Sequence, residues 1–189
     1  SSGSDGVLNT LDINSLDGQV TADNLSIVRK IIEYENSIYT LSNNGIVKLG
    51  LSSGTREEFI QRSPEIKDFF ITTEGKFILI FDQSLSISEG FNKAFVELYK
   101  SDSRINTAFF HQKNKVLLLA KANGRIVSVG IDGAQASIQK VIANVPESNW
   151  GAIAYNPHKQ ILAGGFGNNQ GAIYIWNLET GQQLSVLRG

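Results

Sequence analysis

The side chains that could do chemistry are few and scattered. Only two histidines occur, His111 and His158, and both read as solvated residues of polar turns between strand-like runs. There is no cysteine, which excludes disulfides and thiolate metal sites. A zinc centre needs three or four converging ligands, and a Ser-His-Asp arrangement needs an exposed nucleophile beside a base. The spacing supplies neither, and no Gly-x-Ser-x-Gly elbow is present. The densest acidic group, Asp12, Asn14, Asp17 and Asp23, misses the register of a calcium loop by one residue and reads as turn aspartates. Gly165-Phe166-Gly167 with Gly171 imitates a dinucleotide-binding loop, but that motif must open a helix. Here a strand-like run follows. No Gly-Lys-Ser/Thr triplet exists for a phosphate loop. Asn24-Leu25-Ser26 fits the glycosylation acceptor pattern. Glu57 and Glu58 beside Arg56, like Glu97 and Lys100, read as charged strand edges. No cofactor and no metal are therefore expected.

The elements that would carry any site come next. A chain of 189 residues, 41% hydrophobic and 19% charged, has a globular balance. The net charge of −1 comes with no polybasic cluster, so neither nucleic acid nor an anionic membrane surface is an expected partner. No apolar stretch approaches a membrane span, and the opening Ser1-Ser2-Gly3-Ser4-Asp5-Gly6 is not a signal peptide. The expected location is the cytoplasm. The absence of any methionine suggests a piece of a longer protein.

Repetition organises the chain. Gly18, Gly54, Gly90, Gly133 and Gly181 each close a polar turn after a strand-like run, at intervals of 36, 36, 43 and 48 residues. A second series marks hairpins at Asp5-Gly6, Asn44-Gly45, Asn123-Gly124 and Gly171, where tight turns require positive φ. Between these marks the apolar period is two, and Val116-Leu117-Leu118-Leu119 reads as a strand buried on both faces. Residues 57–62 are the only rival for a helix and are too short. The last unit parses into four strands at 151–155, 161–166, 172–178 and 183–187. Earlier units start near Arg29, Lys67 and Arg104. The reading is all-β: a β-propeller with four full four-stranded blades (29–66, 67–103, 104–148 and 149–189) and a partial N-terminal blade (1–28).

The last unit resembles a WD repeat. Asn156-Pro157-His158-Lys159 stands at that family's "sPdg" turn, and Ile161-Leu162-Ala163-Gly164-Gly165 is similar to its "lasgs" strand. Ile173-Tyr174-Ile175-Trp176-Asn177-Leu178-Glu179-Thr180-Gly181 is similar to "i-lWDl-tG", with Asn177 in place of Asp. The opening Ser2-Gly3-Ser4-Asp5-Gly6 and Leu11-Asp12-Ile13 match the same stretch. The central units keep the strand pattern but not the letters: Leu49-Gly50 stands where Trp-Asp would be, and no unit has the Gly-His pair. The resemblance implies a ring usually of seven blades, closed by blades from the same protein or a partner chain. The family's structural Asp–His bonds cannot be carried over, so apolar packing between blades must supply more of the cohesion.

Binding in such a fold falls to the loops. The resemblance implies docking on the face with the loops that precede each first strand. Those segments carry Arg29, Lys67, Arg104, Asn149 and Trp150, and Trp and Arg are enriched in interface hot spots. The Trp150 ring has a competing use, packing between blades. Asn43, Asn44, Asn123, Asn168 and Asn169 lie in hairpin turns on the same face. The expected function is a non-catalytic protein-interaction scaffold or sensor with protein or peptide partners, the C-terminal part of a larger multidomain protein. The alternative is a metal-dependent propeller enzyme of lyase or lactonase type at the central channel, with Glu33 or Asp68 among its ligands. It would need His, Asp or Glu at the inner ends of several first strands, where Ile31, Ile32, Phe69, Phe70, Phe109 and Ile153 stand instead.

Overall fold

Alternating apolar residues separated by turn residues build strands throughout. The computed structural model describes residues 8–11, 18–22, 27–43, 45–53, 55–60, 65–132, 135–145, 150–166 and 171–188. A two-stranded antiparallel sheet, β1 (Leu8–Leu11) with β2 (Gly18–Ala22), precedes four four-stranded sheets. The first full blade is β3 (Val28–Tyr34), β4 (Ser37–Ser42), β5 (Gly45–Gly50) and β6 (Arg56–Ile60). The second is β7 (Asp68–Ile71), β8 (Phe77–Ile80), β9 (Ser84–Ser88) and β10 (Phe95–Lys100). The third is β11 (Ile105–His111), β12 (Val116–Lys121), β13 (Arg125–Asp132) and β14 (Gln135–Asn144). The fourth is β15 (Trp150–Asn156), β16 (Ile161–Phe166), β17 (Ala172–Asn177) and β18 (Gln183–Arg188). Each blade is an antiparallel meander with strands paired in sequence order.

The blades stand side by side, first strand against first strand: β3 contacts β7, β7 contacts β11, and β11 contacts β15. A single meander cannot cover its own two faces, so the cores lie between blades. Leu41 and Ile46 of the first blade meet Phe69, Phe77 and Leu79 of the second. Ile78, Ile80 and Leu85 of the second meet Leu117, Leu119 and Val127 of the third. Leu118 and Ile126 of the third meet Trp150, Leu162 and Trp176 of the fourth. This explains the unbroken apolar runs. Alternate residues of β8 and β12 serve different interfaces, and every residue of β8 is buried. Each such aliphatic side chain contributes about 1.5–3 kcal/mol of hydrophobic burial.

Turn chemistry sets the registers. Gly45 and Gly124, each after an asparagine, and Gly171 stand at the second hairpin of their blades with positive φ, as tight hairpin turns require. The first hairpin of each full blade also carries a left-handed residue, at Glu35, Gly75, Lys115 and Gln160. Only one of these four is glycine, so sequence gives little sign of the pattern. The strand reading of residues 56–60 holds, and one short helical turn is added to it. Residues 56–60 form a strand and not the start of a helix, because Glu57 faces Lys48 across the ladder with an ion pair of 3.0 Å. A 3₁₀ turn at Gln112–Asn114 links β11 to β12, and Gln112 Nε2 donates to the Ile71 carbonyl of the preceding blade at 2.9 Å.

Candidate functional site

The end of the blades where first strands begin gathers three of the sequence-derived residues. Arg29 opens β3 and reaches across to the segment leading into β7. Its Nη2 donates to the Ile66 carbonyl at 2.9 Å, and its Nη1 lies 3.0 Å from Glu65 Oε1. Lys67 lies next along that segment, exposed, with Glu65 at 3.4 Å and Asp82 at 3.9 Å. Arg104 precedes β11 and is exposed. Its Nε donates to Asn106 Oδ1 at 3.2 Å, and among the described residues no carboxylate pairs with it. Beside Lys67 opens a cleft of about 130 Å³ lined by Lys67, Asp68, Ile80, Ile105, Asn106, Thr107 and Ala108, which Arg104 adjoins through its neighbour Ile105 and its bond to Asn106.

The loops around this cleft are held in place. The Ser101 and Ile105 amides donate to the Gln83 and Asp82 carbonyls of the second blade, each at 2.7 Å, and Ala122 N–H donates to the Arg104 carbonyl at 2.8 Å. Lys121, at the end of β12 and only 1% exposed, sends its ammonium to Asp102 Oδ1 at 2.6 Å and Tyr99 Oη at 2.8 Å. Arg125 Nη1 takes the other Asp102 oxygen at 3.2 Å. The Lys121 bond holds the Asp102 carboxyl below the usual carboxylate range. Asp68 is also engaged: it accepts Lys30 Nζ at 2.6 Å and its neighbour Phe69 N–H at 2.8 Å. Burial raises its carboxyl above the usual range against the pull of Lys30. Lys30 also lies 3.7 Å from the Phe70 ring centroid, a cation–π contact between blades.

Trp150 is corrected. It is 1% exposed, its ring 4.5 Å from Phe166 and 5.5 Å from Trp176 between centroids, so the indole is a core element that no partner can touch. Asn149, Asn44, Asn168 and Asn169 lie outside the described residues, as do the acidic group at Asp12–Asp23 and the acceptor Asn24. His111 is not a turn residue: it ends β11, half-buried, with its ring 5.3 Å edge-on from Tyr155 of the next blade. His158 lies exposed in the turn before β16. Among the described residues no three His, Asp or Glu stand together as metal ligands would. Sequence reasoning missed Lys121, Asp102 and Asn106, which carry no motif.

Two larger depressions lie toward the opposite end. One, of about 270 Å³, has Ile87, Phe110 and Ile131 between charged residues already joined to one another: Lys115 with Glu74 and Lys76 with Glu89, each at 2.8 Å. The Lys115 bond holds the Glu74 carboxyl down at about 2. The other, about 550 Å³ and shallow, is crossed by Lys140, whose ammonium donates to the Leu178 and Glu179 carbonyls.

No protein-family model and no curated protein sequence matches the chain. Solved structures do. A chain of the mitotic checkpoint complex crystal structure superposes with a TM-score of 0.72 at 12% identity, covering 96% of this chain and 58% of that one. The C-terminal WD40 domain of Sif2 superposes with a TM-score of 0.70 at 14% identity, covering 90% of this chain and 49% of that one. The fold is that of a WD40 β-propeller, and the chain spans about half the length of the structures it matches. No helix among the described residues is long and apolar enough to cross a membrane.

Proposed function

We propose that the chain is a non-catalytic protein-interaction platform, the C-terminal part of a larger multidomain propeller protein whose ring is completed by blades from the same protein or a partner chain. Docking falls on the end where first strands begin. The observation that carries this reading is the rim there: Lys67 and Arg104 stand on connecting segments that main-chain and ion-pair contacts hold in place, and Arg29 at the start of β3 ties the first of these segments to its own blade. A pre-ordered loop binds without the entropy cost of ordering it. The likeness to a chain of a multiprotein complex supports the same reading. Chemical cross-linking of the whole protein with its native partners tests it. Partner cross-links should concentrate at Lys30, Lys67 and Lys100, near the rim, and spare Lys113 and Lys159 at the far end. Cross-links at the far-end lysines alone would remove the rim as the docking face.

A further inference from the structure

We infer that the partner segment is an acidic peptide, one of whose carboxylates enters the cleft between the second and third full blades and is forked by Arg104 with Lys67 beside it. The inference rests on the docking face proposed above and names the chemistry of what docks there.

Charge balance at the mouth of the cleft is the first ground. Among the described residues in the pairs at this end of the blades, six cations, Arg29, Lys30, Lys67, Arg104, Lys121 and Arg125, stand among four carboxylates, Glu65, Asp68, Asp82 and Asp102. That is an excess of two positive charges in a chain whose net charge is −1. The distribution of pairs is the second ground. Asp102 is only two residues from Arg104, yet Lys121 and Arg125 take both its oxygens. Asp68 is held by Lys30, and Glu65 lies closer to Arg29 than to Lys67. The guanidinium of Arg104 is thus left without a carboxylate among the described residues, and Lys67 has only long contacts. Geometry is the third. Arg104 commits Nε to Asn106, which orients the plane and leaves both terminal nitrogens for a two-pronged bond to a carboxylate. The cleft beside it, about 130 Å³, has room for a short acidic side chain. Two excess charges are few for a nucleic-acid backbone, whose binders commonly make about 6–10 phosphate contacts.

The test uses the whole protein that carries this chain, with labelled hexaglutamate, hexalysine and oligothymidylate as probes, read by fluorescence anisotropy at low salt. Hexaglutamate should bind and be released as salt rises; hexalysine should not bind, and oligothymidylate should bind more weakly. Arg104→Gln should weaken hexaglutamate about tenfold and Lys67→Gln about threefold, while Lys113→Gln at the other end should leave it unchanged. Amide shifts on adding the peptide should centre on residues 66–68 and 103–107. Absent hexaglutamate binding, an Arg104→Gln protein that binds as well as wild type, or oligothymidylate binding as tightly would overturn the inference. Partner cross-links still concentrated at Lys67 would then show that the docking face stands and only its acidic ligand is wrong.

Discussion

Trp150 lies on a loop-to-strand boundary where an interface aromatic would be sought, and its ring lies instead in the seam between the third and fourth full blades. Gly164 makes room for it. A Cβ there would sit 2.8 Å from Cζ3 of the indole and 3.1 Å from Cε3, and the indole is hemmed by Phe166 and Trp176. Gly164→Ala should therefore cost about 1–3 kcal/mol of stability in urea unfolding, the range of overpacked cores. Gly165 is the control, since nothing lies within 4 Å of its Cβ position, and Gly165→Ala should stay within about 0.5 kcal/mol. Equal stability of the two variants would show that the indole can move aside. Sequence made the glycine pair visible as strand residues, but not which one faces the ring.

Between elements, Lys121 replaces a tie that the sequence lacks. With no Asp–His pair, the third blade grips the preceding connection through a buried ammonium on Asp102 and Tyr99. Removing one partner of a buried pair costs more than replacing the buried charge with an apolar side chain. Asp102→Asn should thus destabilise by about 2 kcal/mol, less than a fully buried pair because Asp102 is half-exposed. Lys121→Met should cost less, since Arg125 still serves Asp102. The sign with pH follows from the depressed carboxyl. Its stabilisation is complete above the unfolded value of about 3.9 and fades as pH falls through the lower folded one. The melting-temperature gap between wild type and Asp102→Asn should therefore close on acidification; a gap constant down to pH 2 would show that charge is not the tie. Apolar packing, expected to supply more of the cohesion, fills the seams, and ion pairs cross two of them.

For the whole molecule, burial is concentrated in the middle. β8 and β12 lie in seams on both sides, whereas β18 has exposed Leu184 and Leu187 and no described blade beyond it. Amide hydrogen exchange should be slowest in Phe77–Ile80 and Val116–Lys121 and fastest in Gln183–Arg188. Uniform protection across the blades would mean that they open as one cooperative unit. The strand count of each full blade was legible because period-two alternation and hairpin glycines are local signals. The left-handed turns at Glu35, Lys115 and Gln160 were not, because the flanking ladder, and no residue preference, imposes them.

By itself the sequence determined the all-β class, the hairpin spacing and the division into repeated four-stranded units, since each depends on residues a few positions apart. Tertiary structure alone decided that Trp150 is interior, that Lys121 is buried against Asp102, and that Arg104 has no carboxylate partner among the described residues. Those outcomes are set by neighbours from the adjoining strand or the adjoining blade, and which opposite charges meet across a seam is a matter of distance in space that no spacing along the chain encodes.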